Sequence, residues 1–139
     1  MKEVTKDLIN DFNIYDLGYD FMGCNVYKND LLDFHHLLIP RRECAKKGIP
    51  FDGYIYENGS ILKHGASHQE LHLIEIYDYN MFLNITSEMQ DMKVKGWLDP
   101  YNLKLISEML SEFEYENMSR VSKKGKRLIK NSYLDRHYK

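Results

Sequence analysis

Cysteine is scarce in this chain, and no apolar run is long. Cys24 and Cys44 are its only two cysteines, too few for a framework of bridges and not spaced as a CxxC zinc pair. Both are expected to be reduced thiols, as in a cytoplasmic protein. No apolar stretch approaches the roughly 20 residues needed to span a bilayer. The opening residues, Met1-Lys2-Glu3-Val4-Thr5-Lys6-Asp7, lack the apolar core of a secretory leader. A membrane partner and secretion are therefore not expected. Internal repeats and low-complexity blocks are absent too. What is present is a composition that is 43% hydrophobic and 29% charged, ordinary for a globular chain, in a length that suits one domain with a core of its own.

Acidic charge is scarce at one end only. From Arg120 onward there are eight basic residues, namely Arg120, Lys123, Lys124, Lys126, Arg127, Lys130, Arg136 and Lys139, opposed by Asp135 alone, a net of +7. The remaining 119 residues hold eleven basic and twenty acidic groups, a net of −9. A basic end on an acidic body suits a phosphate-rich partner, although a solvated or disordered tail would have the same composition. The expected organisation is a single domain over residues 1–118 and a basic C-terminal segment over 119–139.

Periodicity gives the elements. Val4, Leu8 and Phe12 stand four apart, predicting a short amphipathic helix over Lys2 to Phe12. Leu31 to Pro40 reads as a strand. Arg41 to Gly53, with Gly48 and Pro50, reads as a loop. Tyr54-Ile55-Tyr56 and Ile61-Leu62-Lys63 read as two strands parted by the turn pair Asn58-Gly59. Tyr54 and Tyr56 are expected in the core or in strand pairing rather than as stacking platforms.

Ser67 followed by Glu70 predicts a capping box that starts a helix. Leu71, Ile74, Tyr77, Met81, Ile85, Met89 and Met92 then carry one buried stripe toward Gly96, the expected terminator. Asp99 and Pro100 mark the next helix start, with Leu103, Ile106, Leu110 and Phe113 as its buried face.

Four of the six histidines fall into two tight pairs. His35-His36 ends the strand-like run, and His68 and His72 lie four apart on the predicted helix. Positions i and i+4 project from one helical face, about 40° apart, and two imidazoles so placed can chelate one cation. A zincin protease is excluded by angle, because its glutamate directly follows the first histidine. Glu70 stands two residues on, at about 200° around the helix, pointing away from any ion held there.

The order His35-His36-Leu37-Leu38-Ile39-Pro40, then Glu57-Asn58-Gly59-Ser60-Ile61-Leu62, then Ser67-His68-Gln69-Glu70-Leu71-His72 resembles the HNH (ββα-metal) endonucleases, most of all the colicin-type DNase branch. It covers roughly residues 31–75. The resemblance implies an α+β fold with a ββα-metal core, two antiparallel strands and a helix, joined by additional packed helices. It implies one divalent ion (magnesium, manganese, zinc or nickel) held by His35, His68 and His72. His36 would be the general base that deprotonates the attacking water, and Asn58 would hold the loop that orients it. The substrate implied is nucleic acid, with DNA favoured, in a protein of the kind found in phages and mobile elements.

Arg41 and Arg42, directly after the histidine pair, suit bidentate phosphate contacts. Asp33 can orient an imidazole from outside the ligand set, and His64 is expected to be a bystander. The alternative is a catalytically silent HNH-fold protein that binds nucleic acid or regulates, with a structural metal.

Overall fold

A computed structural model describes residues 1–47 and 53–137, the side chains of Arg41, Arg42 and Ala45 excepted. The chain is α+β, with helices packed around a two-stranded antiparallel sheet. Helix α1 (Glu3–Asp11) buries Leu8 and Ile9, and α2 (Ile14–Leu17) follows after Asn13. The sheet pairs β1 (Leu32–His36) with β2 (Gly59–Lys63), in a register that sets His35 opposite Ser60 and His36 opposite Gly59. Between the two strands in sequence lies the short helix α3 (Arg41–Lys46). After the sheet come α4 (Ser67–Tyr77), α5 (Tyr79–Lys95), α6 (Pro100–Asn117) and α7 (Lys123–Leu134). No described helix is long and apolar enough to cross a membrane.

The long stripes behave as helical periodicity requires. Met81, Ile85, Met89 and Met92 are buried on α5, and Leu103, Ile106, Leu110 and Phe113 on α6. Asp99 accepts a hydrogen bond from the Tyr101 amide at the start of α6, with Pro100 behind it. Gly96 closes α5 at φ +83°, a left-handed conformation that costs glycine little.

Four local expectations are corrected. Tyr54–Tyr56 is not a strand: Tyr56–Asn58 is a 3₁₀ turn, and β2 pairs with β1 instead. Asn58-Gly59 is consequently not a hairpin turn. Arg41 to Lys46 is helical rather than loop, in keeping with the helix-forming Arg, Glu, Ala and Lys there; residues 48–52 of the expected loop lie outside the described residues. The stripe from Leu71 to Met92 spans two helices, because Asp78 leaves helical geometry at φ −150° and caps α5 by accepting from the Met81 amide.

The capping box does not form either. Ser67 lies inside α4, and its hydroxyl accepts from the Lys63 amide and donates to the buried carboxylate of Asp20. Asp20 also takes the Met22, Cys24 and Lys63 amides. It thus ties a loop, the end of β2 and the start of α4 together. Glu70 is buried on the far side of α4, where it accepts from Ser132 of α7 at 2.8 Å.

The basic end is folded as far as His137. Ser122 caps α7 through the Gly125 amide, and Gly125, Ile129 and Ser132 are buried as α7 packs against α4. Arg136 is buried and ion-paired with Glu114 of α6.

Candidate functional site

Strand alternation sorts the residues of β1. Asp33 and His35 share one face, and Phe34 and His36 the other. The first face meets α4. His35 is 4% exposed, and its ring centroid lies 5.6 Å from that of His68 and 5.8 Å from that of His72. His68 and His72, on one side of α4, have centroids 4.8 Å apart. Three of the four histidines named from the sequence as ligands or base therefore converge. His36, at the strand's end, packs its ring edge-on against Tyr54 and Phe34, at 4.8 and 5.2 Å. It faces the same cleft, of about 570 Å³, as the other three.

The two α4 imidazoles are oriented from behind. The Nδ1 of His68 lies 2.8 Å from Oδ2 of Asp33, and the Nδ1 of His72 lies 3.3 Å from Oε1 of Glu75. With each Nδ1 protonated and donating to its carboxylate, the free lone pair of each neutral ring sits on Nε2. Those two nitrogens stand 3.2 Å apart. Two lone pairs at that distance repel unless a proton or a metal cation lies between them. Two nitrogens bound at 2.0–2.1 Å to one tetrahedral ion would be about 3.3 Å apart.

The third ring brings an orphan: Nδ1 of His35 is buried without a hydrogen-bond partner among the described residues. No complete group of three or more His, Cys, Asp or Glu side chains arranged to hold a metal ion occurs among the described residues. What they do contain is a two-nitrogen edge at ligand spacing with a third imidazole beside it whose Nδ1 lacks a hydrogen-bond partner. Imidazole donors of this kind are compatible with a divalent transition-metal ion.

Electrostatics favour the neutral, lone-pair-donating form of His35 and His68. Burial, reinforced by the neighbouring imidazoles of His68, His72 and His36, pushes the pKa of His35 down to about 3. Burial also lowers that of His68, against the opposing pull of Asp33.

Asn58 is 3% exposed and pins the chain immediately after His36. Its Oδ1 accepts from the Leu38 and Ile39 amides at 2.9 and 2.8 Å, and its Nδ2 donates to the carbonyls of Ile39 and Gly53. Its own carbonyl accepts from the Leu37 amide at 2.7 Å. Gly53 lies close beneath, at φ +82°; a Cβ there would meet Cδ2 of His36 and Nδ2 of Asn58, each at 3.0 Å, and collide with the Cys44 sulfur.

Asp33 contacts the imidazole of His68; alternation puts Asp33 and His36 on opposite faces. His64, expected to be a bystander, also reaches Asp33: its Nδ1 lies 2.8 Å from the same oxygen. Glu75 was not singled out from the sequence, and its signal was the three-residue step from His72. The side chains of Arg41 and Arg42 lie outside those described. Comparison with family models, curated proteins and solved structures gave no match to this chain.

Proposed function

We propose that the chain is a metal-dependent endonuclease that hydrolyses phosphodiester bonds in nucleic acid, DNA being favoured by the resemblance to the HNH family. The observation that carries the proposal is the pair of carboxylate-anchored imidazoles, His68 and His72, whose Nε2 atoms face each other at 3.2 Å beside His35, whose Nδ1 is buried without a partner among the described residues. On this reading β1, β2 and α4 are a ββα-metal core, and His35, His68 and His72 hold one divalent ion. Such an ion supplies Lewis-acid stabilisation of the scissile phosphate and its leaving oxygen.

The protein's own residues do the rest. Asp33 and Glu75 fix the tautomers of His68 and His72 and raise their basicity as ligands. His36 accepts the proton of the attacking water, a task suited to a side chain whose unperturbed pKa is near neutrality. Asn58, through five hydrogen bonds to the backbone on either side of the cleft floor, holds the strand end that aims His36. Phosphates away from the cleft meet the outer, basic face of α7, and Arg41 and Arg42 at the start of α3.

The test is nicking of supercoiled plasmid and of single-stranded circular DNA, with a panel of divalent ions and with chelator. Activity is expected with at least one ion and none with chelator. His36→Ala should retain ion binding by calorimetry and lose roughly 100- to 10,000-fold in rate, the usual range for a removed general base. Unchanged cleavage by His36→Ala, or cleavage that survives chelation, would falsify the assignment.

A further inference from the structure

The cleft beside the imidazoles has one wall that the chemistry above leaves unused. It is formed by the first turns of α5, where Tyr79 and Phe82 stack with centroids 5.7 Å apart and planes 21° from parallel. Leu83 stands one residue on, and Ser87 and Gln90 continue the same wall. Tyr79 is 57% exposed and Leu83 45%. A tyrosine and a leucine of one helix, held that far open to solvent inside a concavity, bury no core. The break at Asp78 puts them there, because it ends the helix carrying His72 and Glu75 and starts a new one whose first residue is Tyr79.

We propose that this wall is a base-stacking subsite, so that the cleft accepts one unpaired nucleotide with its phosphate toward the imidazoles and its base on the Tyr79 ring. The inference rests on the nuclease reading and names its substrate: single-stranded or locally unpaired nucleic acid. A cleft of about 570 Å³ lies within the range, about 300–1,000 Å³, that encloses a ligand of a few rings. A base pair flanked by two backbones cannot enter such a space. Every base offers a π face, so an aromatic platform binds single strands with little regard to sequence. The side-chain amide of Gln90 and the hydroxyl of Ser87 supply both donors and acceptors for a base edge.

Two measurements on the full chain test this. The first follows 2-aminopurine emission in a short single-stranded DNA as protein is added, since stacking quenches that base. Quenching is expected with the wild type and with Tyr79→Phe, and should be lost with Tyr79→Ala. The second compares cleavage of single-stranded circular DNA with that of a relaxed duplex circle of the same sequence. Single strands should be cut preferentially, and Tyr79→Ala should raise KM for them by about tenfold, as the loss of one stacked base implies, while Tyr79→Phe retains the wild-type KM.

If DNA is cut but quenching and KM are the same in Tyr79→Ala, the subsite is overturned and the nuclease reading stands. Equal cutting of the duplex circle overturns it as well. If no circle is cut with any ion, the nuclease reading falls. Quenching lost in Tyr79→Ala would then still support a nucleotide-binding cleft, and absent quenching would end that too.

Discussion

Helix α4 carries two polar clusters, one on each side, and they are built to opposite ends. On one side His68 and His72 turn their free nitrogens toward each other and toward His35, at the floor of an open cleft. On the other, Glu70 faces Ser132 and Arg136, with Glu114 beyond, in a position sealed by α6 and α7. Both contain buried atoms without partners among the described residues: Nδ1 of His35 in the first, and Oε2 of Glu70 with Nε and Nη1 of Arg136 in the second. Unsatisfied buried groups are costly in either place. In the open cluster a ligand arriving through the cleft can complete them. In the sealed cluster a change of protonation only relieves the cost of Glu70's buried charge, so the first is a candidate for chemistry and the second acts on stability.

The two clusters should therefore bend the pH dependence of stability in opposite directions, and the larger bend belongs to the histidines. The folded-state pKa of His35 is depressed from 6.5 to about 3. Its contribution is fully present above 6.5, where the ring is neutral in both states. It is lost as pH falls, because the unfolded chain then takes up a proton that the folded chain refuses. Over that window the loss is on the order of 5 kcal/mol. His35→Asn should lose most of this acid limb in urea unfolding followed from pH 7 to pH 3.5. An acid limb of the same depth in the variant would mean that the ring is not held neutral by its surroundings.

The sealed cluster gives the smaller bend, with the other sign. Burial raises the pKa of Glu70 from 4.5 to about 7, more than the nearby Arg136 charge and the Ser132 hydroxyl lower it. A carboxyl whose folded pKa is raised contributes fully below 4.5, and its contribution is lost as pH climbs through about 7, because the unfolded chain releases its proton first. The loss amounts to about 3 kcal/mol. Glu70→Gln keeps an acceptor for Ser132 and cannot ionise, so its stability should be flatter between pH 5 and pH 8 than that of the wild type. Parallel profiles for the two proteins would remove Glu70 from the account.

How far the sequence disclosed these clusters follows from the kind of information each needs. The histidine pairs were legible because their geometry is local: i, i+4 on a helix and adjacent residues on a strand fix directions without knowledge of the fold. The stripes of α5 and α6 were legible for the same reason. Glu70 was not. Its angle away from His68 and His72 could be read from the sequence, but its partners come from α7, more than 60 positions on, and Ser67-x-x-Glu70 satisfied a local capping pattern that Asp20 pre-empts through tertiary contact. The pairing of β2 with β1, rather than with Tyr54–Tyr56, is likewise a long-range choice between segments of similar strand propensity. Whether the basic end is ordered could not be read from its composition, which charge dominates. Gly125, Ile129 and Ser132 of α7, with the ion pairs Arg136–Glu114 and Lys63–Asp135, dock it.

That docking separates the two sides of α7 and gives the smallest of the expected effects. At 100° per residue, Lys123, Arg127 and Lys130 project opposite the stripe of Gly125, Ile129 and Ser132 that packs inward. These three cations are exposed. Deleting the segment after Met118 would be a poor test of phosphate binding, since it also removes Ile129 and Arg136 from the interior. Replacing the three cations by glutamine leaves the inner side intact and should change stability by less than about 0.5 kcal/mol per site. Nucleic-acid affinity should fall, and the slope of log K against log salt should flatten by roughly 2 to 3, close to 0.9 for each phosphate of duplex DNA that is no longer neutralised. Because the substituted face points away from the sealed cluster, the pH profile of unfolding should not move. A slope that stays put would mean that α7 serves only to close the back of α4; a profile that shifts would mean that its two sides are not independent.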